Sequence, residues 1–217
     1  TLRRDEMAQR DILKAVQKAL ERPVKRNFTE SIDLAINLRN IDMSQPQNRI
    51  EEEIILPNGL GRPVKIAVFA SGELAVNAKK AGADLIISPE QITVLGENKT
   101  QAKTLANEHD FFIAEASLMP SIGKSLGPVL GPRGNMPSPI PPGSDVAKPI
   151  ERLRKTVKIR SKDKVTFHTI VGCESMAPEE IAANIETVIK RLEAKVEKQK
   201  IRSIYVKTTM GPSVRVL

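Results

Sequence analysis

The sequence predicts an α/β domain inserted between the two halves of an α+β domain. Three observations predict it. Residues 64–155 alternate strand-like and helix-like segments, the order of a parallel sheet flanked by helices. The segments on either side carry period-2 strands and longer amphipathic helices without that alternation. Charge divides along the same boundary, with 11 basic and 9 acidic side chains in 64–155 against 23 and 17 in the flanks. Most of the excess positive charge therefore falls in the split domain, residues 1–63 with 156–217.

Taken in order, Asp5 to Glu21 sets Ile12, Val16, Ala19 and Leu20 on one helical face, and Pro23 stops it. From Ile32 to Leu38 the even positions are apolar, while Asp33 and Asn37 are polar, the signature of a half-buried strand entered past Phe28 and Ser31. Ile50 to Leu56 reads as a second strand, and Pro57 to Pro63 is a cluster of breakers where a domain can end. The insert then reads as strand Val64–Ala70, helix Gly72–Lys80, strand Leu85–Ser88, helix Glu97–Glu108 and strand Phe111–Ala114. A short helix from Ser117 follows, and a helix Val146–Lys155 leads back out. Strands at Val157–Arg160 and Val165–Val171 come next, and Pro178 to Val196 buries Ile181, Ile185, Val188, Ile189, Leu192 and Val196 along one stripe. Pro178 with Glu179 and Glu180 suits a helix N-terminus. Ser203 to Leu217 closes the chain as a strand interrupted by Gly211-Pro212.

Between the short helix and the exit helix lies Leu126 to Pro139, where two Gly-Pro units and a Pro-rich tail bracket Arg133. Neither an ordinary helix nor an ordinary strand accommodates that composition, so a repeatedly turning loop is expected. It reads either as a Gly-rich loop whose amides and Arg133 meet phosphate, or as a rigid connector. The connector is preferred over Gly127 to Pro142, with Arg133 as a secondary RNA contact.

A net charge of +8 and a pI near 9.6 favour a polyanionic partner. The basic residues of the split domain concentrate at Lys25-Arg26 and at Lys158, Arg160, Lys162 and Lys164, with Arg202 and Lys207 near the last strand. Strand alternation puts Lys158 and Arg160 on one face, which suggests a positive face beside Phe28. One cysteine, Cys173, leaves no internal disulfide. No apolar run approaches the roughly 18 residues of a membrane span, and no apolar signal core follows Thr1–Glu6. A soluble intracellular protein is the expectation.

Several catalytic signals fail on their spacing. Gly123-Lys124-Ser125 resembles the end of a phosphate-binding loop, but Leu118 stands where its first glycine belongs. Gly72 follows a strand as in a dinucleotide-binding turn, yet Leu74 and Asn77 occupy the positions of the other glycines. His109 and His168 with one cysteine cannot complete a four-ligand His/Cys zinc site. Cys173 lacks a supporting acid and reads as a buried thiol. Glu51-Glu52-Glu53 reads as a solvated edge strand. The C-terminal Lys207-Thr208-Thr209-Met210-Gly211-Pro212-Ser213 offers something different: hydroxyls, a flat apolar side chain and a glycine for close backbone approach, a mix suited to RNA.

Leu130 to Gly134 with Met136-Pro137, Arg202 to Val206, and Thr208 to Ser213 together resemble the ribosomal protein L-one family, the proteins of the large-subunit mobile stalk. The resemblance runs in order through nearly the whole chain. His109 to Ala114 and the longer Pro139 to Pro142 tail give it an archaeal cast. It implies a split RNA-binding domain, an antiparallel sheet with two helices, interrupted at 64–155 by a Rossmann-like three-layer α/β domain. It further implies RNA contacts at Asn27, Phe28, Ser31, Thr209, Met210 and Gly211, with Ser203 on the same strand and His168 and Gly172 on a neighbouring one. Many bacterial relatives have Lys-Phe and a later Thr, where this chain has Asn27-Phe28 and Ser31 and carries the positive charge at Arg26.

The partners so implied are the stalk of the large-subunit rRNA, deacylated tRNA leaving the exit site, and the protein's own mRNA, whose translation it represses. A cytoplasmic, ribosome-associated protein, monomeric when free, without cofactor or membrane contact, completes that expectation. The alternative of another class is a nucleotide-dependent enzyme using the inserted domain.

Overall fold

A computed structural model describes residues 2–21, 26–43, 45–141 and 143–216, apart from the side chains of residues 2–9, Pro46 and Lys198. Pro23, Lys25, Pro142 and Leu217, which figure in the sequence reading, lie outside the described residues. The chain divides into two compact units, residues 1–62 with 155–217, and residues 63–154.

In the first unit, β1 (Ser31–Leu38) buries Ile32, Leu34, Ile36 and Leu38 and turns Ser31, Asp33, Ala35 and Asn37 to the other face, as its period of two requires. It lies at the centre of an antiparallel sheet in the order β10 (Val214–Arg215), β9 (Ile201–Thr208), β1, β8 (Thr166–Cys173). Helix α1 (Leu2–Leu20) packs against β9 and β10, α8 (Pro178–Lys195) packs against β8, and the two helices pack on each other. The α8 stripe expected from the sequence is buried throughout. Within it Asn184, fully buried, donates to the carbonyls of Gly59 and Val171 at 2.8 Å each and accepts from the Asn58 amide at 3.2 Å. These bonds hold the Pro57–Gly61 breakers against α8. Gly61, at φ +67, is also packed there: a Cβ would overlap Cys173 and Met176.

β2 (Glu51–Ile55) and β7 (Thr156–Arg160) form a separate antiparallel pair. Its register sets Glu51 opposite Arg160 and Glu53 opposite Lys158, with ion pairs of 3.3 and 4.0 Å. The expected positive face of Lys158 and Arg160 beside Phe28 therefore does not form. Those cations belong to another sheet and are matched by the glutamates of β2, which the sequence reading left as a solvated edge.

The second unit is a parallel sheet in the order β4 (Leu85–Ile87), β3 (Ile66–Phe69), β5 (Phe111–Glu115), β6 (Ser138–Ile140). On one face Ala67, Phe69, Phe112 and Ala114 form a core with Ile92 of α3 (Pro89–Glu97), Ala102 and Ala106 of α4 (Lys99–Glu108), Ile122 of α5 (Met119–Ser125) and Leu130 of α6 (Gly127–Leu130). The alternate strand residues Ile66, Val68, Phe111 and Ile113 are also buried, and α2 (Gly72–Lys80) and α7 (Ala147–Arg154) lie against β3. Both faces are covered, so the strands are near-continuous apolar runs.

Two expectations for this unit need correction. The helix expected at Glu97–Glu108 is α4, but it starts at Lys99, because the Asn98 side chain accepts from the Gln101 amide at 3.3 Å and caps it. A separate helix before it, α3, was missed although Ser88-Pro89-Glu90-Gln91 spells a helix start, with the Ser88 amide donating to Gln91 Oε1 at 3.0 Å. The Gly-Pro segment is likewise not all loop. Pro128 sits in the first turn of α6, where its missing N–H costs nothing, and Pro139 sits in β6, an edge strand that can lack a donor on its outer side.

Candidate nucleic-acid interface

The chain has five phenylalanines and four are at most 5% exposed; Phe28 is 51% exposed. It stands three residues before β1. Met210, 62% exposed, follows β9 at the same end of the sheet, since Ile32 pairs with Thr208. Two large apolar side chains are thus held in solvent on adjoining segments, against the tendency of such groups to be buried.

Hydrogen bonds fix those segments to each other. The Thr209 amide donates to the Ser31 carbonyl at 3.1 Å, and the Ser31 amide donates to Thr209 Oγ1 at 3.2 Å. Thr209 Oγ1 also donates to the Ser31 carbonyl at 3.3 Å. A hydroxyl has one hydrogen and two acceptor positions, so one acceptor position remains for an outside donor. The Gly211 amide returns to the Thr208 carbonyl at 3.2 Å and closes the turn. Glycine is required there for a reason inside the protein: a Cβ at Gly211 would overlap the hydroxyl of Thr208, which is fully buried and without a hydrogen-bond partner among the described residues.

Beneath the turn lies Glu30, 1% exposed. Its Oε2 accepts from the Met210 amide at 3.2 Å, its Oε1 is 3.9 Å from Arg26 Nε, and its carbonyl accepts from the Glu174 amide at 3.0 Å. One residue therefore joins the entrance of β1, the turn after β9 and the end of β8. The sequence reading missed it, though the signal was present. The alternation that buries positions 32, 34, 36 and 38 puts position 30 on the same side, and a carboxylate in that register needs partners.

Of the other expected site residues, Asn27 is exposed and makes no hydrogen bond among the described residues. Ser31 is half-buried beside Thr209. His168 is exposed and pairs with Ala35, opposite Tyr205, on the outer face of the sheet. Ser203 shares that face but is 7% exposed, accepting from Asn37 Nδ2 at 3.0 Å while Thr166 Oγ1 donates to Asn37 Oδ1 at 2.8 Å. Along β1 these positions lie roughly 14 and 20 Å from Ser31, at ~3.4 Å per residue. Gly172 is not in the exposed group. It is buried opposite Ile32, and a Cβ would press on Met176 and Ile181, so its missing side chain serves packing.

His109 and Cys173, read as chemically idle, and Arg133, expected as a secondary RNA contact, have visible structural partners. His109 is buried against Phe112, with Nδ1 3.1 Å from the Leu105 carbonyl. Cys173 is a buried free thiol with Sγ 3.2 Å from the Gly61 carbonyl. Arg133 donates to the Val129 carbonyl at 3.2 Å and to Asn107 Oδ1 at 3.3 Å, tying α6 to α4 as a connector would. Gly123-Lys124-Ser125 lies within α5. Among the described residues there is no cluster of metal-ligating side chains, and no helix is long and apolar enough to cross a membrane.

The strand order of the second unit places its topological switch between β3 and β5, where nucleotide enzymes of this architecture bind phosphates. What stands there is Glu115. Hydrogen bonds from Ser117 Oγ at 2.7 Å and Ser71 Oγ at 3.0 Å hold its pKa below the ordinary carboxylate value. A carboxylate kept ionised repels phosphate, so this crevice does not suit the nucleotide alternative.

Residues 13–212 match the sequence model of the Ribosomal protein L1p/L10e family. The chain belongs to that family. Among its relatives is the large ribosomal subunit protein uL1 of Methanocella arvoryzae, 62% identical over 97% of this chain and 100% of its own length. The proteins of the same name from Methanothrix thermoacetophila and Methanococcoides burtonii are each 55% identical, over 95% and 97% of this chain and 99% and 100% of their own. Ribosomal L1p/L10e proteins are structural and non-enzymatic, which removes the enzyme alternative.

Proposed function

We propose that this protein is a component of the large ribosomal subunit that binds the stalk region of the large-subunit rRNA through the Phe28 and Thr209–Gly211 end of its split unit. The observation that carries the reading is the pair of exposed apolar side chains, Phe28 just before β1 and Met210 on the adjoining turn, which hydrogen bonds already fix. Unpaired bases stack on such surfaces, and the fixed turn needs no ordering when RNA arrives. The remaining acceptor position of Thr209 suits a ribose 2′-hydroxyl, which distinguishes RNA from DNA. The names and near full-length identity of the archaeal relatives support assembly into the large subunit.

On this reading the two units are separate domains and the protein, monomeric when free, works in the cytoplasm on the ribosome. Ribosome-bound, it guides deacylated tRNA from the exit site. Free, it binds its own mRNA through the same surface, since a message that imitates the rRNA site needs no second face. Titration against the rRNA stalk hairpin tests the assignment. Phe28→Ala is expected to weaken binding by about 1–3 kcal/mol, the value of one lost stacking platform. Thr209→Val is expected to weaken it by a similar ~1–3 kcal/mol and to narrow the preference for RNA over the DNA hairpin of the same sequence. Wild-type affinity in both variants would move the site elsewhere.

A further inference from the structure

The positive charge of the split unit is not evenly compensated. Around β7 the cations have carboxylate partners: Lys158 with Glu53, Arg160 with Glu51, Lys195 with Glu52 and Arg49 with Asp163. Along the edge formed by α1 and β10 the arrangement differs. Lys14 and Lys18 are exposed and make no ion pair among the described residues. Four residues apart on α1, they project from one side of the helix. With Arg215 of β10 they line an open groove of about 460 Å³, in which Asp11 is the one acidic side chain among the described lining residues. Lys14 and Lys18, without ion pairs among the described residues, make it locally positive.

The groove also continues the turn described above. Val214, the first residue of β10 and part of the groove lining, follows Gly211 by three positions. The groove therefore starts within four residues of Met210. We propose that the α1–β10 groove takes the sugar-phosphate backbone of the same RNA, with Lys14 and Lys18 as phosphate contacts; the proposal rests on the RNA reading of the turn. Lysines on a flexible stem act as point charges, so they add affinity and salt dependence without reading sequence.

The test is the salt dependence of stalk-hairpin binding by the full-length protein. Each phosphate contact contributes about 0.7–0.9 to the slope of log affinity on log salt, so the double variant Lys14→Gln/Lys18→Gln is expected to lower the slope by about 1.4–1.8. Between 50 and 200 mM salt the affinity lost then shrinks roughly tenfold relative to wild type. Lys14→Arg/Lys18→Arg keeps the charge and is expected to keep the slope, and Thr209→Val to lower affinity with the slope unchanged. A wild-type slope in the glutamine variant overturns the groove, as does an equal loss of slope in the arginine variant. Failure of the wild-type protein to bind the hairpin at all overturns the RNA reading itself, and the groove with it.

Discussion

Gly211→Ala is expected to lower affinity for the rRNA stalk hairpin by about a hundredfold, roughly 2.7 kcal/mol, while the protein stays folded. The added Cβ falls on the hydroxyl of Thr208, which is fully buried and whose backbone is paired with Ile32 in the sheet. The exposed turn, rather than the strand beneath it, is expected to give way. That breaks the Gly211 amide's bond to Thr208 and displaces the Thr209 hydroxyl and the Met210 side chain that the RNA meets. Because the turn caps one end of β9 and carries none of the core, thermal unfolding should change by only about 1 kcal/mol. An alanine variant with wild-type affinity would show that the turn's shape is irrelevant to binding.

Glu30→Ala is the second large effect, and it acts from below. Removing the carboxylate leaves the Met210 amide without its acceptor and Arg26 without its neighbour at 3.9 Å. A hydrogen bond to a charged group contributes about 1.5–3 kcal/mol, and a loss of that order is expected in stability. RNA affinity should fall by roughly tenfold to a hundredfold, because ordering the turn then opposes binding. Glu30→Gln keeps an acceptor for the Met210 amide and is expected to recover most of the affinity. If the alanine and glutamine variants bind RNA equally well, Glu30 has no part in holding the site.

How much of this was legible in the sequence differs by region, for physical reasons. Strict alternation gave β1 to within a residue, and the α8 stripe gave that helix, because burial on one face writes a period into the chain. The pairing of β7 with β2 was not legible. Period-2 alternation says which residues share a face, but not which sheet the strand joins, so Lys158 and Arg160 were assigned a neighbour they lack. Proline content misled at Gly127–Pro139, where a first helical turn and an edge strand both tolerate a missing donor. At the candidate site, residue types pointed to the Thr208–Gly211 turn and the family resemblance to Phe28, whereas the part played by Glu30 and the burial of Thr208 follow from the core register of their strands. Gly172 was implied by the family resemblance, and its neighbours Met176 and Ile181 give it a packing role.

The central claim, that RNA is held at the Phe28 and Met210 end of the split unit, is tested most directly by methionine oxidation of the intact protein with and without the stalk hairpin. Met210 and Met136 are the two exposed methionines among the described side chains, 62% and 39% exposed, and they lie in different units. Bound RNA is predicted to slow oxidation of Met210 several-fold and to leave Met136 at its free rate. Protection of Met136 with Met210 oxidised as in the free protein would place the RNA on the inserted unit and contradict the account.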